Sequence, residues 1–253
     1  MIHRDKLKRK LAQGPVFGTF INIAAASVPE TLALSGLDFG IIDLEHAAID
    51  DPLVESMIRA GDVHDFPLLV RPAELSRSGV QHALDQGACG VQVPQLYTME
   101  EARQAVRFSK YPPLGVRGTA GVRAAAYGVE LMSYLKQAND WLLTVVHCET
   151  KEFLEIMPQA ARLPGLDCIF LGPFDLSVAL GYPGEIDHPT VTAAIADFID
   201  ICNQANMAAG IYVRHAQEAK YRIRQGFRFI AYAVDIILLR AKFADFVQAV
   251  TKE

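Results

Sequence analysis

The chain has 253 residues, 51% hydrophobic and 21% charged, with a formal net charge of −5. This is a globular composition with ample core material, and without a long basic run it argues against a nucleic-acid partner. No stretch approaches the roughly 18 apolar residues of a membrane helix, and Cys89, Cys148, Cys168 and Cys202, scattered without a C-x-x-C spacing, read as free thiols in a reducing cytoplasm.

The opening "KLKRKLAQGPVFGTFINIAAAS" has the basic start and small residues of a secretory signal. Gly14-Pro15, Thr19 and Asn22 interrupt it, however, and a leucine-dense centre is missing, so we read a basic helix followed by the strand "VFGTFINIA". Further strands are expected at "FGIIDLEH", "FPLLVRP", "GVQVPQL", "WLLTVVHCET", "LDCIFLGPFDL", "MAAGIYVRH" and "FRFIAYAVDIILL". Between them, "DPLVESMIRAGDVH", "SRSGVQHALDQGA" and "TMEEARQAVRFSKY" carry apolar residues at helical spacing. The repeated alternation predicts parallel strands joined by crossover helices. Eight units in about 250 residues fit a (β/α)₈ TIM barrel, here one domain over residues 1–253. A doubly wound open sheet is the alternative, but no G-x-G-x-x-G follows the first strand. Residues 111–130, "YPPLGVRGTAGVRAAAYGVE", are too apolar for a linker and read as an active-site loop.

Catalytic groups of such barrels sit at the C-terminal strand ends. Those ends are His46, Arg71, Gln95, Glu149, Asp175 and Arg214, an ionisable set on otherwise apolar strands. Glu149 and Asp175 end the fifth and sixth strands, so they are neighbours that repel unless a cation or a proton joins them. An oxygen-only pair favours Mg²⁺ or Mn²⁺; the competing assignment is two helix-capping acids. His46 is either a structural hydrogen-bonding group or a base. Alternation places Asp43 and Glu45 on one face beside it. Arg71 is either a ligand-binding guanidinium or the partner of one of these acids. Lysines lie at the N-terminus or in helical segments, and only Lys151 is near a strand end, so a buried Schiff-base lysine is not expected.

"DFGIIDLEHAAID", "PLLVRP", "LDQGACGVQVPQ", "YPPLGVRG", "VVHCET" and "IFLGPFDLSVALGY" follow one another in the order and spacing of a known family. Over essentially its whole length the chain resembles the metal-dependent (class II) pyruvate aldolases of the HpcH/HpaI type. The resemblance implies a TIM barrel whose last helix packs on a neighbouring subunit, in a homo-hexamer built as a trimer of dimers. It implies reversible cleavage of a 4-hydroxy-2-oxo acid to pyruvate and an aldehyde, in aromatic or sugar-acid catabolism, with Mg²⁺ or Mn²⁺ and possible use of Co²⁺. Glu149 and Asp175 match the metal ligands, His46 the residue handling the acceptor hydroxyl proton, and Arg71 the arginine on the pyruvate oxygen. Asp85 matches an aspartate that pairs with the histidine of an adjacent subunit. The backbone at Phe174 and Asp175 matches the pyruvate carboxylate site, and Asp43 and Glu45 are then acceptors for metal-bound water.

The sequence departs from the family pattern in places. His147 stands where the family has Gln in Q-x-E. On a strand it shares a face with Glu149, roughly 6.5 Å away, as a substrate donor or as a third metal ligand that would favour Mn²⁺, Co²⁺ or Zn²⁺. "EHAAID" replaces "EHAPND" and "VRPAE" replaces "VRPPW", changes beside the pocket that bear on substrate identity. Tyr212, near the end of the seventh strand, is expected to line the aldehyde site, or to pack outward between helices. Two rivals are a citrate-lyase or malyl-CoA-type lyase, which would need an adenine and phosphate site, and a non-catalytic binding protein on the same barrel.

Overall fold

Strands that are predominantly apolar on both faces, such as "FGIID" and "LTVVHC", have no face to give to water, so both faces must be covered. The computed structural model, which describes residues 5–251, meets that demand with a closed barrel. Its eight parallel strands run in sequence order: β1 (Val16–Ile21), β2 (Phe39–Asp43), β3 (Leu68–Arg71), β4 (Gly90–Val93), β5 (Leu143–Cys148), β6 (Cys168–Leu171), β7 (Ala208–Val213) and β8 (Phe229–Val234). Inward residues Phe39, Ile41, Leu69, Val145, Phe170 and Phe229 fill the barrel. Outward residues such as Ile42, Val70, Val91, Val146 and Ile169 join the larger core under the helices. Leu7 and Leu11 of α1 (Lys6–Gln13) belong to the inner cluster, so this basic helix plugs the N-terminal end.

Closure is completed by β1 against β8, with a register shift between Gly18 and Phe20. A Cβ on Gly18 would sit 2.3 Å from the Phe39 ring, so only glycine lets that ring pack there. The crossover helices are α2 (Ser27–Ala33), α3 (Asp51–Val63), α4 (Arg77–Asp85), α5 (Met99–Ser109), α6 (Leu131–Trp141), α7 (Lys151–Ala160), α8 (Pro173–Ala179), α9 (Pro189–Ala205), α10 (Ala216–Gln225) and α11 (Asp235–Thr251). Asp50, Ser76, Thr98 and Thr150 cap α3, α4, α5 and α7 through their side chains, satisfying amides that the first turn leaves free.

Two strand boundaries are corrected, and two further features are placed. The sixth strand stops at Leu171, because Pro173 presets the first turn of α8, and Asp175 therefore sits in a helix rather than on a strand. The eighth stops at Val234, and "DIILL" begins α11. Residues 111–130 do not reach the barrel mouth of their own chain. They cross the outside of α3 and α4, held by Arg117 on Asp85, Arg123 on Asp62 and the Tyr127 hydroxyl on Arg59. One lysine, Lys110, is buried, 1% exposed. It lies at the N-terminal end of the barrel, where Nζ donates to the carbonyls of Asn139 and Leu142 and to Asp167.

The last helix is bare. Asp235 is its one buried residue among those described, while Ile237, Phe243, Phe246, Val247 and Val250 are exposed. No helix among the described residues is long and apolar enough to cross a membrane.

Candidate active site

A cavity of about 170 Å³ opens at the C-terminal strand ends, lined on one side by Asp43, Arg71, His147, Glu149 and Asp175. Glu149 follows β5 directly. The cap of α7 is Thr150, so Glu149 is not needed there. Instead its Oε1 accepts from the Gln95 amide at 2.8 Å and its Oε2 lies 2.8 Å from His147 Nδ1. Gln95 adopts a positive φ of 54°, a strained conformation that turns its N–H onto the carboxylate. Burial pushes Glu149 towards the neutral form, but His147, the Gln95 amide and Arg71 outweigh it and hold the pKa at about 2.

Asp175 is fixed by the first turn of α8. Its pKa is raised, by burial first and then by the charge of Glu149. The two carboxylates meet over Gly172: a Cβ there would lie 3.0 Å from Glu149 Oε2 and 3.3 Å from Asp175 Oδ2. Any side chain at 172 would fill that cradle. Its donor set is oxygen, doubly charged and half-open, which fits a hard divalent cation. No cluster of three or more His, Cys, Asp or Glu side chains suited to a metal occurs among the described residues.

Arg71 is clamped. Its Nε and Nη2 donate to the two Asp43 oxygens at 2.8 and 2.7 Å, and its Nη1 lies 2.9 Å from Glu45 Oε2. Asp43 and Glu45, expected as acceptors for metal-bound water, hold Arg71 in place. The pairing with the acids is what the structure shows: they fix the planar fork and take three of its five N–H groups. Four carboxylates against one guanidinium leave the site acid-rich. Glu45 registers this, its pKa raised by burial and by Glu149 against the pull of Arg71.

His46 lies at the rim with its side chain 61% exposed and Nε2 3.7 Å from Glu45. His147 lines the cavity, yet both ring nitrogens have protein partners. Nε2 is 2.6 Å from the Gln92 amide, and with that amide donating, Nδ1 carries the proton that Glu149 accepts. A bond from His147 to substrate or to metal has to displace one of them. Phe174 and Tyr212 line the opposite side, their rings 6.1 Å apart, so Tyr212 faces inward rather than out between helices. Asp85 is absent from this cavity and is paired with Arg117 at 2.7 Å. Arg214 also stays away, bound to Glu218. Asn22 and Gln92 belong to the site and were not singled out from the sequence. Gln92 differs from its neighbours as the one polar residue in "GVQV", a signal that was present; Asn22 offered none beyond interrupting an apolar run.

An acid-rich, arginine-clamped pocket at the mouth of a TIM barrel describes a class of metal-assisted enzymes, and the comparisons with known proteins narrow it. The HpcH/HpaI aldolase/citrate lyase family matches residues 16–241. A hydroxypyruvate/pyruvate aldolase of Paraburkholderia phytofirmans is 37% identical over 246 residues, 94% of each chain. A 4-hydroxy-2-oxo-heptane-1,7-dioate aldolase of Klebsiella pneumoniae is 37% identical over 237 residues, 93% of this chain and 88% of that one. The crystal structure of a family protein from Burkholderia cenocepacia superimposes with a TM-score of 0.93 at 34% identity, covering 98% of this chain and all of the other. The chain belongs to the HpcH/HpaI aldolase/citrate lyase family. It is a carbon–carbon lyase, which sets aside the idle-barrel reading.

Proposed function

We propose that the chain is a divalent-metal-dependent aldolase that reversibly cleaves a 4-hydroxy-2-oxo acid to pyruvate and an aldehyde. The convergence of Glu149 Oε2 and Asp175 Oδ2 over Gly172, within an acid-rich site, is the observation that carries this reading. Held by those two residues, Mg²⁺ or Mn²⁺ (or Co²⁺) would supply Lewis-acid stabilisation of the enolate that develops as the carbon–carbon bond breaks. The engagement of His147 by Gln92 and Glu149 favours the oxygen-preferring cations.

The chain's own groups do the rest. Arg71, immobilised by Asp43 and Glu45, places its remaining N–H groups against the keto oxygen and adds fixed positive charge where negative charge grows. The amides of Phe174 and Asp175, in the first turn of α8, suit the pyruvate carboxylate. His46 removes the 4-hydroxyl proton in cleavage and returns it in synthesis. His147 keeps Glu149 oriented while its ring edge bounds the substrate. Tyr212 bounds the aldehyde. A CoA-ester lyase is disfavoured, since Arg71 is the sole arginine or lysine lining the cavity among the described residues and the acids already hold it.

The rim position of His46 and the outward position of Asp85 support a homo-oligomer, read as a hexamer, in which Asp85 of one chain reaches His46 of another. The bare apolar α11 supports its exchange between chains. Four buried free cysteines suit a reducing cytoplasm.

The test is metal-dependent exchange of pyruvate C3 protons with solvent. Exchange should vanish with chelator and return with Mg²⁺ or Mn²⁺, and borohydride with pyruvate should leave activity intact. His46→Ala should slow cleavage far more than exchange. Covalent trapping of pyruvate would sink the metal reading.

A further inference from the structure

Asn22 directly follows β1 and faces the cavity. In the closed barrel β1 lies four strands from β5, so Asn22 stands across the mouth from Glu149. This inference rests on the function proposed above. With pyruvate at Glu149, Asp175 and Arg71, the aldehyde must occupy the space between pyruvate C3 and the wall formed by Phe20, Asn22, Phe174, Tyr212 and Val234.

That wall is apolar except at two points. The Asn22 carboxamide makes no hydrogen bond with the described residues, and its Oδ1 is shut off from water without a partner. With the oxygen closed off, the end of the carboxamide left for the cavity is its N–H₂, which has no acceptor among the described residues. The Tyr212 hydroxyl likewise has no protein partner among the described residues; its ring contacts Phe20 and Phe174 at 6.4 and 6.1 Å. Asn22 is not loose. Its backbone N–H donates to Asp235 Oδ1 at 2.9 Å and that of Ile23 to Asp235 Oδ2 at 3.1 Å, so the turn bearing the carboxamide is pinned to the start of α11. A held but unpaired polar group facing a reaction space is how a site reads one substrate atom.

Charge narrows the ligand further. Arg71, the sole arginine or lysine on the cavity wall among the described residues, is neutralised by Asp43 and Glu45 and stacks over Phe20 at 4.7 Å. A second carboxylate on the aldehyde would enter a site that already holds an excess of acids. A hydroxyl oxygen accepts from the Asn22 N–H₂ and brings no further negative charge into the site.

We propose that Asn22 selects the aldehyde: its carboxamide, with the Tyr212 hydroxyl, receives the hydroxyl of a short, uncharged hydroxyaldehyde, and the wall rejects an aldehyde bearing a distal carboxylate. Asn22 is thus a specificity-determining residue, distinct from the groups that handle pyruvate.

The experiment measures kcat/KM for aldol addition of pyruvate, with Mg²⁺ or Mn²⁺, to glycolaldehyde, to propanal of similar size without the hydroxyl, and to succinic semialdehyde. The unaltered protein should favour glycolaldehyde over both. Asn22→Ala and the similarly sized Asn22→Leu should each lower the glycolaldehyde-to-propanal ratio by about tenfold to a hundredfold, because the unmade hydrogen bond penalises only the hydroxylated substrate. Two variants guard against one that folds poorly, and the comparison of aldehydes in the unaltered protein needs neither. A preference of the unaltered protein for succinic semialdehyde, or an unchanged ratio in the folded variants, overturns the assignment. Exchange of pyruvate C3 protons separates the two levels. Its presence with an unchanged ratio removes only the role of Asn22, whereas its absence together with failure on every aldehyde removes the aldolase reading as well.

Discussion

At the N-terminal end of the barrel, Lys110 is buried with its ammonium on two carbonyls and Asp167, and Asp167 in turn accepts from Lys8 and from the Thr144 amide. Burial lowers the Lys110 pKa, the feature usually sought in a Schiff-base nucleophile, yet every donor on it has an acceptor. At the C-terminal end, four carboxylates crowd around one guanidinium, and Asp175 and Glu45 are pushed towards their neutral forms. Burial alone therefore does not mark function in this molecule. What distinguishes the two ends is whether the buried charges complete one another, as at the lysine, or leave a surplus for something else to balance.

Removing the surplus should have the largest effect. Glu149→Gln or Asp175→Asn should lower metal-dependent pyruvate exchange by about a thousandfold or more, since a catalytic cation supplies several kcal/mol of charge stabilisation. Their stabilities should part. Asp175 has a raised pKa, so its ionised form opposes folding, and Asp175→Asn should hold or raise the melting temperature of the metal-free protein at pH 7. Glu149 is depressed from 4.5 to about 2, so its contribution is complete above pH 4.5 and is lost as the pH falls through 2. Glu149→Gln should accordingly be less stable than the parent at pH 7, and urea titrations should show the gap closing between pH 4.5 and 2. A gap independent of pH would contradict the assignment.

The opposite end should respond in stability alone. Lys110→Met strips Asp167 of its buried partner and should cost about 3 kcal/mol in urea unfolding, with exchange per folded molecule unchanged. Loss of exchange in the folded variant would show that the two ends are not separate.

The smallest effect belongs to the aromatic wall of the pocket. Tyr212→Leu should shift kcat/KM towards longer aldehydes by roughly tenfold, the value of one or two methylene equivalents in a pocket. A constant ratio across a series of aldehyde lengths would place Tyr212 outside the aldehyde's path.

The strands were legible because predominantly apolar runs such as "LTVVHC" suit a sheet covered on both faces. His46, Arg71 and Glu149 were legible because ionisable groups at the ends of such runs have no packing reason to be there. Asp175 was expected at a strand end; Pro173 places it in a helix, and the same turn brings it over Gly172. The rest depended on contacts that sequence proximity does not contain. Arg71 meets Asp43 across adjacent strands, Gln92 meets His147 across β4 and β5, and Lys110 is buried only because the segment before β6 returns to it. The segment 111–130 looked like an active-site loop because it is long and apolar, but those properties equally suit packing across α3 and α4.

The pairing of β1 with β8 has a consequence for how this protein comes into being. Val16 faces Phe229, so the first strand to leave the ribosome has no partner on one edge until nearly the whole chain has followed. A contact of such long range is slow to form, because the entropy of closing the intervening loop is lost before the pairing is gained. The same seam joins Phe20 and Asn22 to Val234 and Asp235 around the mouth of the barrel. The reaction space is therefore completed in the closing step: a nascent chain still short of its eighth strand has the acidic half of the site but lacks Val234 and the Asp235 carboxylate that pins Asn22 in the facing wall.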